Sequence, residues 1–147
     1  MWYLLIKCLH LTAAAFFIGG VFFEIAVVSR AARQLEPIAR AQFSSEFGQR
    51  ARQVMPWVIL TLYGAGVLLA GHYYRDALAH PFASSLGTLL SVKILLAVSI
   101  LGHFIAVMVL MKRGHLTPRR SHWIHRSVFL QMIGILFLAK AMFLFQR

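Results

Sequence analysis

The apolar positions of this chain fall in four long runs, about 2–28, 54–74, 87–111 and 123–145. The stretches between them are rich in arginine, histidine, serine and proline. Each run is long enough to cross a hydrocarbon layer of roughly 30 Å at about 1.5 Å per residue. The pattern predicts an all-α fold, an integral membrane four-helix bundle making one domain over 1–147. The stretch 34–52 reads differently. Leu35, Ile38, Phe43 and Phe47 recur there at loosely helical spacing among arginines, which predicts an interfacial amphipathic helix lying on the membrane surface.

Polar positions inside the runs are few, and in the first run they are aligned. Steps of three or four residues from Tyr3 lead through Lys7, His10, Ala14, Phe17 and Val21 to Glu24. Only Thr12 and the weakly polar Cys8 lie off this stripe. A charged side chain in lipid costs on the order of 2.5–3.5 kcal/mol on insertion scales, so such residues need a reason. The stripe is expected to be one wall of an interior site. The same argument marks Lys93, His103, Gln131 and Lys140 in the later runs. Gly64 and Gly66 in the second run allow close helix contact.

Composition agrees with the pattern. Of 147 residues, 60% are hydrophobic, more than a soluble domain of this length can hide. The net charge of +11 invites a nucleic-acid reading, but its distribution argues otherwise. Arg30, Arg33, Arg40, Arg50 and Arg52 lie between the first two runs, and Lys112, Arg113, Arg119, Arg120 and Arg126 lie between the last two or just inside the fourth. The middle connection offers only Arg75, beside Asp76. By the positive-inside rule both basic connections face the cytoplasm and both termini the periplasm. The expected location is a bacterial inner membrane, multi-pass, with the lipid bilayer as partner and no nucleic acid. The first run carries Glu24 and lacks a basic leader and a small-x-small site, so it is expected to remain as a span. The single Cys8 excludes an internal disulfide and is too few for a thiolate metal site. Pro56 is expected in the first turn of the second helix, with Trp57 at headgroup level. Pro118 is expected to break the chain before the fourth, with Ser121 as its N-cap.

Two chemistries account for buried histidines beside lysines. Neutral imidazole ligates haem iron, which points to His10 and His103, with Lys7 and Lys93 as cations for propionates or an anionic substrate. Ala13, Ala14, Gly19, Gly20, Gly64, Gly66 and Gly102 make room for a flat ring. Imidazole also suits copper, and the outer connection carries His72 and His80, but the methionines form no M-x-x-M run. Plainer roles stand beside these. Lys7, Lys93 and Lys140 can snorkel, His115, His122 and His125 can meet headgroups, and Glu24 can pair with Arg50 or Arg52. His10 can make a helix–helix hydrogen bond, worth about 0.6 kcal/mol on average in membranes. Depths of roughly 12 Å for His10 and 24 Å for His103 leave the pairing open. They share one iron, or His10 pairs with His72 in an outer site and His103 with His125 in an inner one.

"IKCLHLTAAAFFIGGVFF", Ile6 to Phe23, resembles the K-x-L-H…G-x-F-F opening of the CopD-like membrane proteins, a group allied to the HemJ-type protoporphyrinogen oxidases. "RARQVMPW", Arg50 to Trp57, is similar to their basic lead into helix two, and "SVKILLAVSILGHF", Ser91 to Phe104, to their K…H third helix. The resemblance implies a b-type haem held by histidines of the first and third helices, here His10 and His103, with Lys7 and Lys93 alongside. "RSHWIHRSVFLQ", Arg120 to Gln131, has neither the acid nor the proline of the N-E-x-P-like motif of those oxidases. The expected function is a haem b redox protein, a HemJ-like porphyrinogen or quinone-linked oxidoreductase with quinone or porphyrin as partner. The alternative is CopD-like copper transport or resistance without haem. A third reading is a small accessory subunit, of a membrane redox partner or of a homo-oligomer.

Overall fold

In lipid a backbone N–H or C=O has no water to bond, so an apolar run satisfies its own polar groups by becoming a helix. The computed structural model describes residues 1–115 and 117–144, the side chains of Pro118, Arg119 and Phe143 apart. Helix α1 is Trp2–Phe23, α2 is Pro37–Tyr73, α3 is Arg75–Ala79, α4 is Ser85–Lys112 and α5 is Pro118–Leu144. After α1 the chain stays helical but changes pitch, through a π turn at Glu24–Val28, one α turn at Ser29–Ala31 and a 3₁₀ turn at Ala32–Gln34. No strand occurs among the described residues. Four helical stretches are long and apolar enough to cross a membrane: Trp2–Gln34, Pro37–Tyr73, Ser85–Lys112 and Arg120–Met142. Phe145, the end of the fourth expected run, lies outside the described residues.

The segment 34–52 does not form a helix of its own. From Pro37 it runs without interruption into the second apolar run, giving one helix of 37 residues, about 55 Å long. Pro56 sits inside it, not in its first turn. Proline removes one N–H, and the helix-forming Ala, Arg, Gln and Met residues around it keep the rest of the ladder. The turn before α2 is held by Arg40. Its Nε donates to the Ala32 carbonyl at 3.0 Å, and its Nη2 donates to those of Arg33 at 2.7 Å and Leu35 at 3.0 Å. These bonds satisfy carbonyls left open where the preceding helix ends.

The start of α5 also differs from expectation. Pro118 opens the helix, where its missing N–H costs nothing. The cap is the Thr117 hydroxyl, which accepts from the Arg120 N–H at 3.3 Å. Ser121 lies within the first turn, its N–H bonded to the Thr117 carbonyl at 3.0 Å.

The chain divides into two compact units, Met1–Tyr73 and Tyr74–Arg147. In the first, α1 packs against α2 with antiparallel register. The Tyr3 and Tyr73 rings lie 4.6 Å apart, His10 meets Leu62 and Gly66, and Gly20 faces the Met55 side chain. Ala13, Phe17 and Val21, one turn apart on α1, are buried with Ile59 and Ala65 of α2. The stripe legible in the sequence is therefore the face that α1 turns to α2. In the second unit α4 and α5 are antiparallel neighbours, with Leu90, Ile100, Val128 and Met132 buried. The start of α4 is clamped by the loop before it. Ser84 Oγ accepts from the Gly87 N–H at 3.0 Å, and Thr88 Oγ1 donates to the Pro81 carbonyl at 2.8 Å. A side chain at Gly87 has no room, because a Cβ there would meet the Ala77 carbonyl oxygen at 2.7 Å. Large apolar side chains such as Phe16, Trp57, Val67, Leu95 and Phe137 point outward, as a lipid solvent allows.

Candidate functional site

Helix spacing sets where each polar residue of α1 lands. Tyr3, Lys7 and His10 stand one turn apart on the α2-facing stripe. The Lys7 ammonium lies 5.4 Å from the centre of the Tyr3 ring, close enough for a cation–π contact. One turn further in, His10 is half-buried. Its Nδ1 is 2.9 Å from the Leu62 carbonyl oxygen of α2. A carbonyl can only accept, so Nδ1 carries the hydrogen, and in the neutral ring the lone pair is on Nε2. The ring lies where a side chain at residue 66 would stand. A Cβ on Gly66 would come 3.1 Å from His10 Cε1 and 3.3 Å from Nδ1. Gly66 therefore lets the imidazole approach the α2 backbone.

The hydrogen bond to Leu62 does for His10 what an outer-shell partner does for a ligating imidazole. It fixes the tautomer and aims the second nitrogen. Among the described residues no group of three His, Cys, Asp or Glu side chains is placed to hold a metal ion. A haem iron, which takes four of its ligands from the macrocycle, asks less of the protein: one suitably oriented imidazole is enough to fit it. His10 presents one imidazole whose orientation is set by its bond to Leu62.

His72 is exposed, its ring edge-on to that of Tyr73 at 5.1 Å. It lies six residues along α2 from Gly66, a rise of about 9 Å, so the packing that seats His10 does not bring His72 beside it. Glu24 begins the π turn.

The second unit holds the other histidine of interest. His103 Nδ1 donates to the Ser99 carbonyl of its own helix at 2.7 Å, and Nε2 faces Ser127 Oγ of α5 at 3.3 Å. Gln131, one turn after Ser127, donates from Nε2 to that same hydroxyl at 3.1 Å and to the Ser127 carbonyl at 3.3 Å. Gln131 Oε1 is buried without a hydrogen-bond partner. Both nitrogens of His103 are thus engaged by the protein. His125 Nδ1 donates to the Ser121 carbonyl at 2.8 Å, within its own helix. Lys93 is half-buried on α4, and Lys140, His80, His115 and His122 are exposed.

The partners that define both sites were not legible as such. Leu62 and Ser99 act through backbone carbonyls, which carry no signature in residue type. Ser127 carries one faint signal, its position four residues before Gln131 on a helix. No family model, no curated protein and no solved structure matches this chain.

Proposed function

We propose that this protein binds a b-type haem within a bacterial inner membrane and passes electrons through it, with His10 as the iron ligand. The observation that carries the reading is the His10 Nδ1–H bond to Leu62, 2.9 Å long, made over the bare backbone of Gly66. It orients the ring by a contact between two helices. Bound haem supplies a one-electron couple whose potential follows its axial ligands and burial. Lys7, one turn from His10, supplies a positive charge on the same stripe, suited to a propionate. The order of motifs shared with the CopD-like and HemJ-type proteins supports the same assignment.

The orientation belongs to this reading. Four single crossings put the two arginine-rich connections on one side, the cytoplasmic side by the positive-inside rule, and both termini on the other. A phosphatase fused after Arg147 should be active; an inactive phosphatase with a fluorescent cytoplasmic fusion at the same point overturns the orientation.

The test of function is the spectrum and metal content of the purified protein. Haem gives a Soret band and sharp bands on reduction, and His10→Ala should abolish them while the protein still inserts. Stoichiometric copper with no haem band would favour copper handling instead. Haem retained in full by His10→Ala would remove the assignment.

A further inference from the structure

The two arginine-rich connections differ in what their cations already hold. Between α1 and α2 five arginines share the segment with Glu36 and Glu46, and Arg40 gives three hydrogen bonds to carbonyls of its own turn. Around the turn from α4 into α5 stand Lys112, Arg113, Arg119, Arg120 and Arg126, and the sequence has no acidic residue after Asp76. Asp76 belongs to α3, which meets the far end of α4 at Gly87. These cations have no counter-charge near them in their own unit. Their depth differs too. With 28 and 27 residues, α4 and α5 are about 42 and 40 Å long. A bilayer with its headgroups is about 40–45 Å thick, so this pair ends among the headgroups, whereas the 37 residues of α2 reach past them.

The turn is firmly built. Gly114 takes the left-handed conformation, φ 68°. The His115 N–H then donates to the Leu110 carbonyl at 2.9 Å and the Gly114 N–H to that of Met111 at 3.1 Å, which closes the end of α4. The His115 carbonyl, so placed, accepts from Arg120 Nη1 at 3.3 Å. The Arg126 guanidinium lies over the Trp123 ring, 6.0 Å from its centre. Arg120, Trp123 and Arg126 thus follow one another at steps of three along the start of α5. Steps of seven from Trp123 lead to Leu130 and Phe137 on the same face of the helix. These three side chains are 66%, 68% and 71% exposed, and the buried Val128 and Met132 lie on the opposite side.

We propose that this end of the second unit binds an anionic phospholipid, its phosphate held by Arg120 and Arg126 and an acyl chain lying along Trp123, Leu130 and Phe137. The site needs the bilayer but not the haem, and it holds for either orientation of the chain. A guanidinium offers paired N–H groups that match two oxygens of a phosphate. Both arginines are already positioned, one by a carbonyl and one by a ring, so less side-chain freedom is lost on binding. Lys112 and Arg113 add charge of the same sign. A zwitterionic headgroup brings its own ammonium, which these cations repel, so the surface selects lipids with a net negative charge.

Tryptophan fluorescence of the full chain in phosphatidylcholine vesicles tests the proposal. Of the three tryptophans, Trp2→Phe and Trp57→Phe leave Trp123 as the only one. A small share of the lipid is replaced by phosphatidylglycerol or phosphatidylcholine with brominated acyl chains, and bromine quenches a ring that it touches. Half-quenching of Trp123 should need roughly fivefold less of the anionic lipid, the advantage expected for one cation at the surface. Arg120→Gln with Arg126→Gln should bring the two lipids level. A chain keeping Trp2 alone, at the end of α1 away from both basic connections, should show no preference. Equal quenching of Trp123 by both lipids overturns the proposal, as does a preference that survives the double arginine variant. An equal preference at Trp2 would make the attraction a property of the whole basic chain and would also overturn it. So would a preference abolished by inorganic phosphate but not by chloride of the same ionic strength, since the ligand would then be free phosphate. The comparison of Trp123 with Trp2 decides alone if the double variant does not fold.

Discussion

His10 and His103 are built from the same parts. Each stands on an apolar helix, each gives its Nδ1 hydrogen to a backbone carbonyl, and each faces the next long helix. They differ in whose carbonyl it is. His10 reaches across to Leu62, fifty-two residues away in sequence. His103 bonds back to Ser99, one turn down its own helix. A ring anchored across the interface is oriented by the packing of two helices. A ring anchored to its own helix is oriented locally and uses its second nitrogen to touch the neighbour, here Ser127. The first arrangement suits a ligand, the second a hydrogen-bond chain. The glycines repeat the contrast. Gly66 admits a ring at the α1/α2 interface, while Gly87 admits backbone at the start of α4.

The comparison breaks first on haem. His103→Ala should keep the haem content of the native protein, whereas His10→Ala should lose essentially all of it. Equal loss in both, read from the reduced spectrum per mole of protein, would mean that the two histidines play the same part. Among changes that test stability, Gly87→Ala should have the largest effect. Its Cβ would stand 2.7 Å from the Ala77 carbonyl and 3.1 Å from that of Pro81, and backbone cannot yield as a side-chain tip can. Overpacking of this kind costs about 1–3 kcal/mol, and thermal unfolding in detergent should show it as a lowered midpoint.

Gly66→Ala comes next, because what it crowds is a side chain. The His10 ring must shift by a few tenths of an ångström, at a cost near the low end of that range, about 1 kcal/mol. Gly64→Ala is the control on the same helix, since a Cβ there meets nothing within 4 Å. It should leave stability unchanged or raise it by up to about 1 kcal/mol, the difference in helix propensity between the two residues. A Gly66→Ala protein as stable as Gly64→Ala, with an unchanged haem spectrum, would show that His10 is not seated against Gly66. The smallest effect belongs to Ser127→Ala. Losing one interhelical hydrogen bond in a membrane costs about 0.6 kcal/mol, measured against native in the same unfolding experiment.

Run length, charge and helical period were enough to establish four apolar helices and the face that α1 buries, because a chain in lipid has one local solution to its backbone hydrogen bonds. The stripe from Tyr3 to Glu24 was visible for the same reason: side chains three and four residues apart share a face whatever lies opposite. Position along the chain could not say what that face would meet. Leu62 and Ser99 contribute main-chain oxygens, which every residue has, so only the register of two packed helices or the reach of one rotamer selects them. Gly66 was marked as a site of close contact, but that the contact is His10 follows from the antiparallel alignment of α1 on α2. The single helix through Pro56 was likewise decided by tertiary structure. Arg40 closes a tight turn at Leu35, and the amphipathic stretch after it continues straight into α2. Ser127 carries no charge and little polarity, and it acquires meaning only when α5 sets its hydroxyl between His103 and Gln131.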